Sequence, residues 1–121
     1  MGDTVKSNII IELARLLDEH NGKDTVVLDI HEQSSWTDYF VITTVSSQTH
    51  MRGVVRYVRS FLKENEIEPS NSRKHISEDG WVLLDCGDFV IHLMTEEIRE
   101  FYDLERLWFS GQSLYHSSKS S

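Results

Sequence analysis

Two adjacent apolar runs, residues 80–86 and 88–94, constrain what this chain can fold into more than any other feature. Both are rich in β-branched, aromatic and aliphatic residues, and the Gly87-Asp88 pair between them suits a tight antiparallel turn, because glycine tolerates positive φ. In the first run Trp81, Leu83 and Asp85 face one way and Val82, Leu84 and Cys86 the other. In the second, Phe89, Ile91 and Leu93 alternate with Val90, His92 and Met94. Both faces of this hairpin are therefore largely apolar, whereas a sheet covered on one side only would alternate apolar with polar. Either the last helix folds beneath the second face, or that face is kept for a partner. A short helix covers only part of a sheet, so both can hold.

The remaining elements follow from periodicity. Val5, Ile9, Ile10, Leu13, Leu16 and Leu17 recur at helical spacing until Asn21-Gly22, which predicts an amphipathic helix over 4–20. Val26, Val27 and Leu28 form the body of a short strand over 25–30, and the β-branched and aromatic run at 39–44 predicts another. The longest helix begins at Ser46-Ser47 and ends near Glu66, with Met51, Val54, Val55, Val58, Phe61 and Leu62 as its apolar stripe. A loop around Pro69, the only proline, leads to a marginal edge strand at 74–76. Thr95 is placed to cap a helix running to about Tyr102, with Glu96 and Glu97 suited to its N-terminal dipole, and Asp103 to cap one more turn, 104–108. The expectation is one α/β (α+β) domain over 1–111, with a mixed sheet of four to five strands and flanking helices. The Ser-rich run 112–121 is expected to be a disordered tail. A chain of 121 residues suffices for one such domain without staples.

Charge narrows the partner. Residues 78–105 hold nine acids (Glu78, Asp79, Asp85, Asp88, Glu96, Glu97, Glu100, Asp103, Glu105) against Arg99 alone, which accounts for the whole net charge of −8. Such a surface disfavours nucleic acid and favours a basic partner, although a solvated acidic face would also serve solubility. One helix runs the other way: Arg52, Arg56, Arg59 and Lys63 recur at i, i+4, i+7 and i+11. They either form the solvated side of an amphipathic helix or touch phosphates of ribonucleic acid. The single cysteine, Cys86, permits no internal disulfide and fits a reducing, cytoplasmic home. No stretch approaches the roughly 18 apolar residues of a membrane span, and the N-terminus lacks the pattern of a signal peptide.

Catalytic patterns are not found. The six histidines (His20, His31, His50, His75, His92, His116) show no metal-ligand spacing, no glycine-rich loop precedes a helix, and no serine stands in a nucleophile elbow. The order of strands and helices resembles the nucleotidyltransferase-like folds, which need paired carboxylates for two metal ions. Asp29-Ile30-His31 puts histidine where the second carboxylate is required, and Asp38, Asp85 and Asp88 form no Asp-x-Asp pair. The expectation is a nucleotidyltransferase-like topology without its catalytic motif, and no cofactor or metal.

Residues 81–92 (WVLLDCGDFVIH) and 99–108 (REFYDLERLW), supported by 36–42 (WTDYFVI) and 46–50 (SSQTH), closely resemble the ribosomal silencing factor, or Iojap-like, family over roughly residues 5–109. The resemblance implies a compact α/β protein, without enzymatic activity, that binds ribosomal protein fourteen of the large subunit. In doing so it blocks joining of the small subunit and represses translation. It also implies a homodimer when free, with assembly of the large subunit as the role of organelle relatives. Matching residues put Trp81, Leu83, Asp85 and Asp88 on the docking face, joined by Tyr102, Leu104, Glu105 and Trp108. Aromatic and leucine anchors would exclude water while acids steer encounter; core packing accounts equally well for Trp81, Leu104 and Trp108. The alternatives are a divergent nucleotidyltransferase-like enzyme using Asp29 or Asp38, and a self-associating ribosome assembly factor.

Overall fold

The computed structural model describes residues 2–32, 37–69, 75–77, 80–102 and 112–116. In chain order the elements are α1 (Gly2–Glu19), β1 (Lys23–Asp29), β2 (Tyr39–Val45), α2 (Gln48–Glu64), β3 (His75–Ser77), β4 (Trp81–Asp85), β5 (Phe89–Thr95), α3 (Glu96–Tyr102) and β6 (Gln112–His116). The strands form one mixed sheet in the order β3-β4-β5-β2-β1-β6. Its central pair, β2 and β5, is parallel, and every other pairing is antiparallel.

Local chemistry sets the helix boundaries. After α1, Asn21 takes the left-handed conformation (φ 69°) and the Gly22 N–H donates to the Leu17 carbonyl at 2.8 Å, so the helix stops and the chain turns into β1. Ser47, extended at φ −161°, caps α2 by accepting from the His50 N–H at 3.0 Å.

The sheet separates two apolar clusters. On one face Ile10, Leu13, Ala14 and Leu17 of α1 and Met51, Val54, Val58 and Leu62 of α2 pack on Val27, Tyr39, Val41, Val45, Leu84, Phe89, Ile91 and Leu93. On the other, Val26, Leu28, Ile30, Phe40, Ile42, Val90 and Met94 are buried, with Trp81, Leu83 and Ile98 packed against them. Alternation along each strand sends neighbours to opposite clusters. That is why β2 and β5 read as continuous apolar runs, and why β2 is buried along its whole length.

The expected α/β class, mixed sheet and flanking helices hold. Two expectations are corrected. The sheet has six strands, not four to five, and the run 112–121 is not wholly a disordered tail: β6 pairs antiparallel with β1, from Val26↔His116 to Asp29↔Gln112. Strand pairing is made by the backbone, so a polar composition does not prevent it and suits an edge position. Without β6, one side of β1 would present unpaired N–H and C=O groups.

Candidate docking face

The β4–β5 turn is held from two directions. Cys86 N–H donates to the Phe89 carbonyl at 2.9 Å, Gly87 takes the positive φ (87°) required at the first central position, and the Gly87 N–H donates to Asp85 Oδ1 at 2.9 Å. Both turn carbonyls also accept from the segment leading into β2. The Thr37 hydroxyl donates to the Gly87 carbonyl at 3.1 Å, and the Asp38 and Tyr39 N–H groups donate to the Asp88 carbonyl at 3.0 and 3.2 Å. Asp85, half-buried, and Asp88, exposed, thus stand on fixed backbone at one end of the hairpin.

At the other end of β4, Gly80 (φ 129°) accepts from the Thr95 N–H at 2.9 Å, and α3 begins at once. The Thr95 hydroxyl accepts from the Ile98 N–H at 3.4 Å, a long capping contact of the kind expected. Ile98 packs beside Trp81 and Leu83 on the second cluster, while Arg99 Nη1 donates to the Thr44 hydroxyl at 2.9 Å. This orientation leaves Glu96, Glu97 and Glu100 exposed, and Phe101 78% exposed.

Trp81 and Leu83 lie half-buried along β4, between the buried second cluster and solvent. The Trp81 indole N–H donates to His92 Nδ1 at 3.2 Å, and Phe40 meets the same imidazole edge-on at 4.6 Å between centroids. An accepting Nδ1 fixes the neutral tautomer with its proton on Nε2, which has no partner among the described residues. Burial pushes the His92 pKa down to about 3, so the ring is neutral at physiological pH. Burial, and then the Asp85 charge, pushes the Cys86 thiol up to about 12, so it is not a thiolate nucleophile.

Of the residues singled out by sequence, the fold brings Trp81 and Leu83 together beside Ile98 and sets Asp85 and Asp88 along the same hairpin. Tyr102 ends α3, whereas Leu104, Glu105 and Trp108 lie outside the described residues. The centre of the second face is buried within the monomer, and among the described residues the β4 margin and α3 remain accessible beside it. His92 and Phe101 were missed. Nothing in a single histidine within an apolar run reports a bond to Trp81, and helical spacing from Ile98 would have buried Phe101.

Asp29, His31, Asp38 and Tyr39 line a separate small cleft of about 170 Å³. There His31 Nδ1 lies 2.6 Å from Asp29 Oδ1, and this hydrogen bond, with the Asp29 charge, raises the His31 pKa. Among the described residues no three His, Cys, Asp or Glu side chains form a group able to hold a metal, and no helix is long and apolar enough to cross a membrane.

Fold and face together define a small α/β protein with a mixed, helix-covered sheet and an acidic, aromatic margin on its β4–β5–α3 side. The chain belongs to the ribosomal silencing factor family: the model described as "Ribosomal silencing factor during starvation" matches residues 4–120. It is 34% identical over 92 residues to the ribosomal silencing factor RsfS of Chromobacterium violaceum, covering 76% of this chain and 75% of that protein. It is 36% identical over 98 residues to "Mitochondrial assembly of ribosomal large subunit protein 1" of Mus musculus, covering 79% of this chain. The match spans only 43% of the mouse protein's length. A crystal structure from Chromobacterium violaceum superposes with a TM-score of 0.73 at 31% identity, over 95% of this chain and 92% of that one. The family is one of ribosome-associated regulators of translation.

Proposed function

We propose that this protein docks on the large ribosomal subunit through ribosomal protein fourteen, blocks joining of the small subunit and so represses translation, without catalysing a reaction. The observation that carries this reading is the β4–β5–α3 margin. Trp81, Leu83 and Phe101 are accessible to different degrees, with exposed Glu96, Glu97 and Glu100 towards one end of β4 and exposed Asp88 at the other, within the segment that holds the chain's whole excess of acid. Ribosomal proteins are basic, so a negative rim steers encounter while aromatic and leucine anchors exclude water at the centre. Tyr102, Leu104, Glu105 and Trp108 would complete the face, and Arg52, Arg56, Arg59 and Lys63 would meet neighbouring ribosomal RNA. A cytoplasmic location and a homodimer when free belong to the same reading.

Gradient sedimentation with purified subunits tests it. The protein should comigrate with large subunits and lower the joined fraction, and reversing Asp85, Asp88 and Glu105 should weaken both effects. Normal joining at saturating protein would refute the proposal. The assembly reading has support in the name of the mouse relative; it predicts that loss of the protein depletes mature large subunits without changing joining of those that remain. If the dimer uses the same face, added ribosomal protein fourteen should dissociate it.

A further inference from the structure

Helix α2 turns Met51, Val54, Val58 and Leu62 to the core and leaves its opposite side exposed. On that side Arg52, Arg56, Arg59 and Lys63 fall within roughly 60° of one another at 100° per residue. All four are exposed, and the helix from Gln48 to Lys63 carries no acid although the chain as a whole has a net charge of −8. Among the described residues none of the four is held in an ion pair. Within the described residues, therefore, this positive charge is not used internally.

Two further observations concern the flank of α2 between this stripe and the core. Gly53 lies about 90° around the helix from the centre of the basic stripe. A mid-helix glycine weakens a helix, and no packing among the described residues requires this one: beyond its own turn of helix, a Cβ built on it meets none of their atoms within 4 Å. Such a position suits close approach of another backbone. Beyond it, about 130° from the stripe, Tyr57 is 51% exposed. One face of its ring stacks on His20, with centroids 3.7 Å apart and planes at 20°. The His20 turn is held in place in turn: His50 accepts from the Ser46 N–H at Nδ1 (2.9 Å), which leaves its Nε2–H to donate to the His20 carbonyl at 2.7 Å. Tyr57 is thus a braced aromatic platform.

We propose that the exposed side of α2 receives a strand of ribonucleic acid that wraps part-way around the helix, with phosphates on the basic stripe, the sugar-phosphate chain passing close over Gly53, and an unstacked base on Tyr57 at the flank. Cationic contacts beside an aromatic platform are how proteins hold single strands. A membrane surface is the weaker fit, because it needs a broad aliphatic face and this one exposes a single tyrosine. The proposal rests on docking to the large subunit, whose surface is largely RNA, and deepens the RNA contact of that reading by giving the basic stripe a base-stacking platform at Tyr57 and a close backbone approach at Gly53.

Binding of the full chain to purified large subunits across a series of KCl concentrations tests it. Each phosphate contact contributes roughly 0.7–0.9 to the slope of log K against log salt, so combining Arg52→Gln, Arg56→Gln and Arg59→Gln should flatten the slope by about 2–3. Tyr57→Ala should weaken binding roughly tenfold with the slope unchanged. Gly53→Ala should raise the urea midpoint of the free protein yet weaken subunit binding. A slope unaltered in the triple variant, or full binding by Gly53→Ala, would overturn the proposal while subunit docking itself stands. Failure of the wild type to bind subunits would remove the docking reading, and this inference with it. Vesicles of equal phosphatidylserine and phosphatidylcholine serve as the other arm: binding there that the triple variant loses would overturn RNA in favour of a membrane.

Discussion

Acidification from pH 7 to pH 5 should destabilise this protein specifically through His92. The ring is 3% exposed, accepts from Trp81 at Nδ1 and is held neutral by burial, with a pKa near 3. Unfolded, the same imidazole titrates near 6.5. Between the two values the unfolded state binds a proton that the folded state refuses, so stability rises with pH in that window and is lost as pH falls below 6.5. At pH 7 this linkage costs only about 0.2 kcal/mol; at pH 5 it costs about 2 kcal/mol, nearly the same for any folded pKa below about 4. Protonation would also place a donor at Nδ1 against the indole N–H, so the folded state has no way to accept it cheaply. The assay is urea unfolding of wild type and His92→Asn at both pH values. Asparagine keeps an acceptor for Trp81 but does not titrate. The variant will be less stable at pH 7 because it opens space between Trp81 and Phe40, but wild type should lose about 2 kcal/mol more than the variant on going to pH 5. His31, whose raised pKa works in the opposite direction, is common to both proteins and cancels. Equal losses in the two proteins would refute the argument.

Gly80→Ala should destabilise by about 1–3 kcal/mol in chemical denaturation, because φ is 129° and a Cβ would stand 2.7 Å from the Thr95 hydroxyl. Leu84→Ala, at a fully buried position beneath the helices, should lower stability by about 2–5 kcal/mol by the same measurement. Ending the chain at residue 111 should lower the thermal midpoint and deprotect β1 amides in hydrogen exchange, since β6 covers that edge; a purely disordered tail would leave both unchanged. Cys86, with its thiol near 12, should react with iodoacetamide at pH 8 far more slowly than free cysteine, and at a comparable rate once urea unfolds the protein.

Much of the fold could be read from residue order because the driving pattern is local. The stripe from Met51 to Leu62 specifies α2 without reference to anything else, and the apolar residues on both faces of 81–86 and 88–94 call for cover on both sides, from the chain's own helices or from a partner. β6 escaped because its partner lies more than 80 residues upstream, and its serine and glutamine argue for solvent although only its backbone makes the pairing. The acidic margin was legible as charge, since sign needs no geometry. The bond between Trp81 and His92 was not, because it depends on β4–β5 register, in which His92 faces Leu83 and Trp81 lies diagonal to it. Tyr57 and Gly53 looked unremarkable for a related reason: what sets them apart is the emptiness around one and the histidine under the other, and neither is a property of sequence spacing.

The parallel pairing at the centre of the sheet also governs how the chain matures. Tyr39 sits beside Phe89, and the register continues to Val45 beside Thr95. Contact order is therefore high where the core is deepest, which slows folding relative to a protein built from neighbouring hairpins. During synthesis α1, β1, β2 and α2 can assemble early, but β2 keeps one bare flank until residues 89–95 have emerged. A nascent or truncated chain that stops short of Phe89 presents that flank as a template for any extended polypeptide nearby, and the arrival of β5 closes it.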